Sequence, residues 1–70
     1  MKEKFAKITV VTKQGNRYSG DMPYADKENR DEKIRWFFDK DLENIVYWGS
    51  AWILREEIAS IEIGTEYPLS

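Results

Sequence analysis

Seventy residues with no cysteine and no histidine make one small domain and exclude disulfide frameworks, zinc fingers and other thiolate or imidazole metal sites. A chain this short buries only about 60% of the surface its unfolded form exposes. The stabilising devices left to it are an oligomer interface and a dense aromatic core, for which 14% of its residues are aromatic. The net charge of −2 does not advertise nucleic-acid binding, but it is unevenly spread: residues 1–35 carry nine Lys/Arg against six Asp/Glu (+3), residues 36–70 two against seven (−5), a dipole that suits packing of identical copies and that a solvated surface also shows by chance.

The chain starts Met1-Lys2-Glu3-Lys4-Phe5, with no apolar leader, and nowhere does it hold an apolar run of about 18 residues or more. The expectation is a cytoplasmic protein without membrane association. From Phe5 to Lys13 the pattern alternates, with Ala6, Ile8 and Val10 on one face and Lys7, Thr9 and Val11 on the other, which predicts a first strand. Gln14-Gly15-Asn16 predicts a turn, because Gly and Asn tolerate a positive φ. Arg17 to Tyr24 alternates again; Gly20 inside it predicts a bend or bulge, and Pro23 an edge or an end.

Ala25 to Lys33 holds seven charged residues in nine and no apolar stripe, so a solvated loop is expected there. Ile34 to Asp39 predicts a third strand, Lys40 to Asn44 a polar turn, and Ile45 to Leu54 a long fourth strand kinked at Gly49-Ser50. Arg55-Glu56-Glu57 reads as a tight turn and Ile58 to Ile63 as the fifth strand. Gly64 to Ser70, with Pro68, reads as a tail, so that residues 1–64 form the domain and 65–70 follow it. Ala51, Leu54, Ile58 and Ile61 also fit a helical stripe with Ser50 as a cap, but Trp52-Ile53 and Ile61-Glu62-Ile63 have the aromatic and β-branched character of strands.

The mass of the core lies between Ile34 and Ile63, which includes Trp36, Trp48 and Trp52. In the third strand Phe37 opposes Ile34, Trp36 and Phe38; in the fourth, Ile45 and Tyr47 oppose Val46 and Trp48. A half-solvated sheet alternates cleanly between apolar and polar. Apolar residues on both faces therefore require a second cover: barrel closure, a neighbouring copy or a ligand. Phe37, Trp48, Trp52, Ile61 and Ile63 are the candidate interface residues.

No constellation for catalysis stands out. Ser19, Ser50 and Ser60 have no histidine base, Glu56 and Glu57 are adjacent and point apart, and no glycine-rich phosphate loop is present. Asp39, Asp41 and Glu43 open like a calcium loop, but Asn44 and Ser50 stand where that loop needs a glycine and a bidentate glutamate. A non-enzymatic protein with no cofactor and no metal is expected.

Five short strands in this order predict a small, strongly bent barrel. Gly15 and Gly20, five apart with Tyr18 and Met22 flanking the second, and Asp26 six further on, resemble the first half of the Sm-like family signature. Ile53-Leu54-Arg55-Glu56-Glu57-Ile58 through Ile61 resembles the short turn between the fourth and fifth strands of bacterial Sm-like proteins. The likeness covers about residues 8–26 and 51–63. It implies an all-β five-stranded bent barrel, here with the N-terminal helix absent or reduced to Met1–Lys4. It also implies subunits joined by pairing the fourth strand of one with the fifth of the next, and binding of RNA. On that footing Asp26, Asn29 and Arg55 are candidate ligand residues, with Tyr24, Arg30 and Arg35 as a stacking-and-phosphate patch beside them. The chain departs from the bacterial form at Leu54-Arg55-Glu56, where a tyrosine-lysine-histidine run is usual, and in the charged stretch after Asp26. Self-association with RNA or a nucleotide-containing molecule as ligand is one expectation. Docking of an aromatic face on a protein partner is the other, and the acidic C-terminal half favours it.

Overall fold

The alternation of β1 (Lys4–Thr12) does what it predicts: Ala6, Ile8, Val10 and Thr12 are buried on one face, and Lys7 is exposed on the other. The computed structural model describes residues 4–68, and of residues 66–68 the backbone alone. The expectation for the N-terminal helix therefore falls largely on residues outside those described, as do residues 69–70 of the expected tail; residues 64–68 are not a tail but continue the last strand, pairing with Lys4 to Ala6. β1 is the middle strand of an antiparallel sheet of order β2-β1-β5, flanked by β2 (Arg17–Tyr24) and β5 (Ile58–Pro68). The outer face of this sheet is polar: Thr9 and Ser19 hydroxyls bond at 2.9 Å, and Arg17 of β2 pairs with Glu62 of β5 across β1.

The turn at Gln14-Gly15-Asn16 forms as expected. Gly15 has φ 88°, and the Asn16 amide donates to Thr12 Oγ1 at 3.1 Å. Pro23 lies in an edge strand, opposite Phe5. The register from Lys4↔Tyr24 to Val11↔Arg17 runs without a slip, so no bulge forms at Gly20. A Cβ at Gly20 would stand 2.9 Å from Trp48 Cε2; the missing side chain makes room for an indole. The bulges lie in β5 instead. Between Ala6↔Glu66 and Ile8↔Ile63, and again between Val11↔Ser60 and Thr12↔Ile58, β5 spends one residue more than β1.

The stretch expected to be a loop and then a third strand is α1 (Lys27–Trp36). None of its residues is buried, so end chemistry holds it where an apolar stripe would usually do so. Asp26 is the N-cap, its carboxylate accepting from the Asn29 amide at 2.8 Å, and Asn29 Oδ1 accepts from the Ala25 amide at 3.0 Å. These are reciprocal bonds in the manner of a capping box. Glu28 in the first turn and Lys33 and Arg35 in the last complement the helix dipole. Phe37 follows as the C-cap and drops into the core at 1% exposure.

Ile45 to Leu54 is two strands, not one kinked strand: β3 (Ile45–Trp48) and β4 (Ala51–Leu54) pair in a separate antiparallel ribbon. Gly49 and Ser50 have φ 58° and 61°, the left-handed pair that a two-residue hairpin turn of type I′ requires. One 3-10 turn, Arg55–Glu57, leads into β5; the helical alternative across residues 51–61 is not taken. The fold is thus mostly β, with five strands in two antiparallel sheets and one short helix, and no barrel closes among the described residues. The ribbon lies over the buried face of the larger sheet. Val46 and Ile53 join Ala6, Ile8, Val10, Met22, Tyr24, Phe37 and Ile58 in the core, and Trp48 Nε1 donates to the Ile8 carbonyl at 3.1 Å.

Candidate functional site

Arg55 is a charged side chain committed to several contacts at once. It is 7% exposed. Its Nε donates to the Trp36 carbonyl at 3.3 Å, its Nη1 to the Glu43 carbonyl, and its guanidinium lies 4.5 Å from the centre of the Trp36 ring. Its own amide bonds the Asn44 carbonyl at 2.7 Å. One side chain thereby joins the end of α1, the 37–44 loop and the 3-10 turn. Trp36 O, in the last turn of α1, accepts the Asp39 amide at 3.3 Å and takes the guanidinium as its second donor.

Only neutral groups satisfy this cation. No carboxylate lies within ion-pair distance of Arg55 among the described residues, and Nη2 makes no hydrogen bond there. Arg55 lines a cleft of about 530 Å³ together with Lys13, Phe38, Lys40, Leu42 and Glu56. Three cations face one carboxylate in it. Phe38 and Leu42 are exposed apolar walls. Asn44, also on the lining, accepts the Glu56 amide through Oδ1 at 3.3 Å, leaving its NH₂ to donate. The cleft therefore offers a positive field, N–H donors and an aromatic surface. That combination is suited to an anionic group carried on a flat or apolar body.

The other residues expected at a ligand site are dispersed around α1. Tyr24 is in the core, with the Arg30 guanidinium 6.0 Å from its ring centre. Arg30 lies 3.6 Å from Asp31. Asp26 and Asn29 are engaged in capping. Arg35 is exposed in the last turn of α1. Arg30 is in the first half of α1 and Arg55 binds its last residue, so about 9 Å of helix rise separates the Tyr24–Arg30 group from Arg55. Lys13 and Phe38 were missed in the sequence. Lys13 reaches the cleft because its amide bonds the Glu57 carbonyl at 2.8 Å and Gln14 Nε2 bonds Glu57 Oε2 at 2.6 Å, docking the β1–β2 turn on the 3-10 turn. No local pattern announces a contact between residues 43 apart.

The candidate interface residues also separate. Phe37 and Trp48, expected on an outer face, pack inward, edge to face with centroids 5.3 Å apart. Ile61 is half-buried against the core, and Ile63 is exposed. Trp52 is exposed, 4.8 Å from Tyr47. A second, almost wholly apolar cleft of about 370 Å³ opens between Met22, Trp36, Phe37 and Trp48. No helix among the described residues is long and apolar enough to cross a membrane. The chain matches no protein-family model, no curated protein sequence and no solved structure.

Proposed function

We propose that this protein is a non-enzymatic, self-assembling binding module of Sm-like type, taking single-stranded RNA or a nucleotide-containing molecule at the Arg55 cleft. The observation that carries the reading is a buried guanidinium without a carboxylate partner among the described residues, set in a cleft with Lys13, Lys40 and the exposed ring of Phe38. A buried cation held by neutral dipoles alone is costly, and a bound phosphate would neutralise it while its base stacks on Phe38.

The architecture supports the Sm-like part in three respects. Five strands follow in order, β1 pairs with both β2 and β5, and a short hinge joins β4 to β5. The outer edges of β4 and β5 are unpaired among the described residues, as subunit pairing through those strands requires. It departs in the ten-residue helix between β2 and β3 and in the open seam between those strands.

Titration with short single-stranded RNAs and with a mononucleotide tests the ligand. Binding is expected to weaken with salt, with a slope of about 0.7 per phosphate contacted, and to be abolished by joint Lys13→Glu and Lys40→Glu substitution. Titrations that stay flat at low salt with several sequences remove the reading. The alternative is docking on a protein partner, which the apolar outer face of the β3–β4 ribbon favours. A one-to-one complex indifferent to nuclease would select it.

A further inference from the structure

The β3–β4 ribbon is apolar on both sides. Val46, Trp48, Ala51 and Ile53 face the core, while the pairs Ile45↔Leu54 and Tyr47↔Trp52 share the opposite face. These four outer side chains are 51, 41, 56 and 75% exposed, respectively. They form a block of two rows, one aliphatic and one aromatic, with no charge among them. A large apolar side chain presents about 150–250 Å² when fully exposed, so the block offers about 350–550 Å². That is as large as the largest apolar patch of an ordinary monomer, about 300–600 Å².

We infer that a second copy of this chain covers this face, ribbon on ribbon, about a two-fold axis. The inference goes beyond the reading above: it names a face-to-face contact distinct from edge pairing of β4 with β5, and it is independent of the ligand. Three features point to a like copy. The block lacks any cation to meet a phosphate and any charge to select an unlike partner. It is self-complementary: a two-fold axis lying in the contact plane, across the strands and between the rows, sets Tyr47 over Ile45 and Trp52 over Leu54 of the other copy. Large side chains then meet smaller ones, as close packing requires, and the contact is isologous. The area also fits. Two such faces bury at most about 700–1,100 Å², below the standard interface size and in the range of weak, transient contacts, so the dimer is a reversible one.

Sedimentation equilibrium across the micromolar range tests this. The wild-type mass is expected to rise with concentration from 8.3 kDa towards twice that value. Trp52→Asp and Ile45→Lys, one in each row, are each expected to weaken self-association at least about tenfold, with an unchanged circular dichroism spectrum because both side chains face outward. A wild type that stays at 8.3 kDa throughout overturns the dimer. So does an assembly that survives both substitutions, because the backbone edges of β4 and β5 are untouched by them and pairing along those edges would then be the contact. A monomer that binds RNA ends the dimer and leaves the ligand reading standing; a dimer that binds none does the reverse.

Discussion

Gly20 and Trp48 show how one missing side chain places another element. The indole needs the bare backbone of β2 to approach, and its Nε1 is then within reach of the Ile8 carbonyl one strand further in. That bond fixes the ribbon over the middle of the larger sheet. In Gly20→Ala the new methyl meets a ring that its hydrogen bond and its edge contact with Phe37 hold in position. The expected loss is about 1–3 kcal/mol, the usual range for overpacking, read from the urea midpoint at unchanged slope. A loss under about 0.5 kcal/mol, within the range of ordinary surface changes, would mean that the ring swings aside freely and that Gly20 does not position it. Arg55 acts on the same scale from the other end of the ribbon. Its two bonds and its stacking on Trp36 bring the cleft walls together, so the residue that gives the cleft its charge also gives it its shape.

At the scale of elements, α1 is the weakest. Among the described residues it buries none of its own side chains, and its hold on the body comes from Ile34, from Arg30 over the Tyr24 ring, from Lys33 donating to the Pro23 carbonyl, from Arg55 bound to Trp36, and from Phe37 just beyond it. Asp26→Ala removes the cap and is expected to cost about 1 kcal/mol. Helix amides should exchange with solvent well before those of β1, whose backbone is paired on both sides. Equal protection of α1 and β1 would contradict this ranking. The helix was hard to read because apolar periodicity is the main signal and the segment has none; the Asp26…Asn29 spacing was the cue, and the weight of charge obscured it. Ile34 to Phe38 is an apolar run that a strand and a helix end share. β1 and β2 were legible from alternation alone. The ribbon was half legible: apolar faces on both sides were visible, but a single strand kinked at Gly49-Ser50 left Trp48 on the outer face. A two-residue turn at Gly49-Ser50 reverses the chain there, so Trp48 falls inward and Trp52 outward.

For the whole molecule the question is what supplements so small a core. Nine apolar side chains are buried among the described residues, and eight large ones are exposed, half of them on the ribbon's outer face. With neither cysteine nor histidine, covalent and soft-metal cross-links are closed off, and association is the remaining way to remove those side chains from water. If two copies share the ribbon face, folding and association are linked and stability depends on concentration. For a dimer that unfolds to two chains, each tenfold rise in concentration adds about 0.7 kcal/mol per chain. In a domain this size that moves the thermal midpoint by about 3–5 °C. Wild-type protein should show this drift in calorimetry, while Trp52→Asp, which removes the contact and touches nothing in the core, should melt at one temperature whatever its concentration. A wild-type midpoint independent of concentration would show that the nine-residue core suffices and that the outer row of Tyr47 and Trp52 is left to another partner.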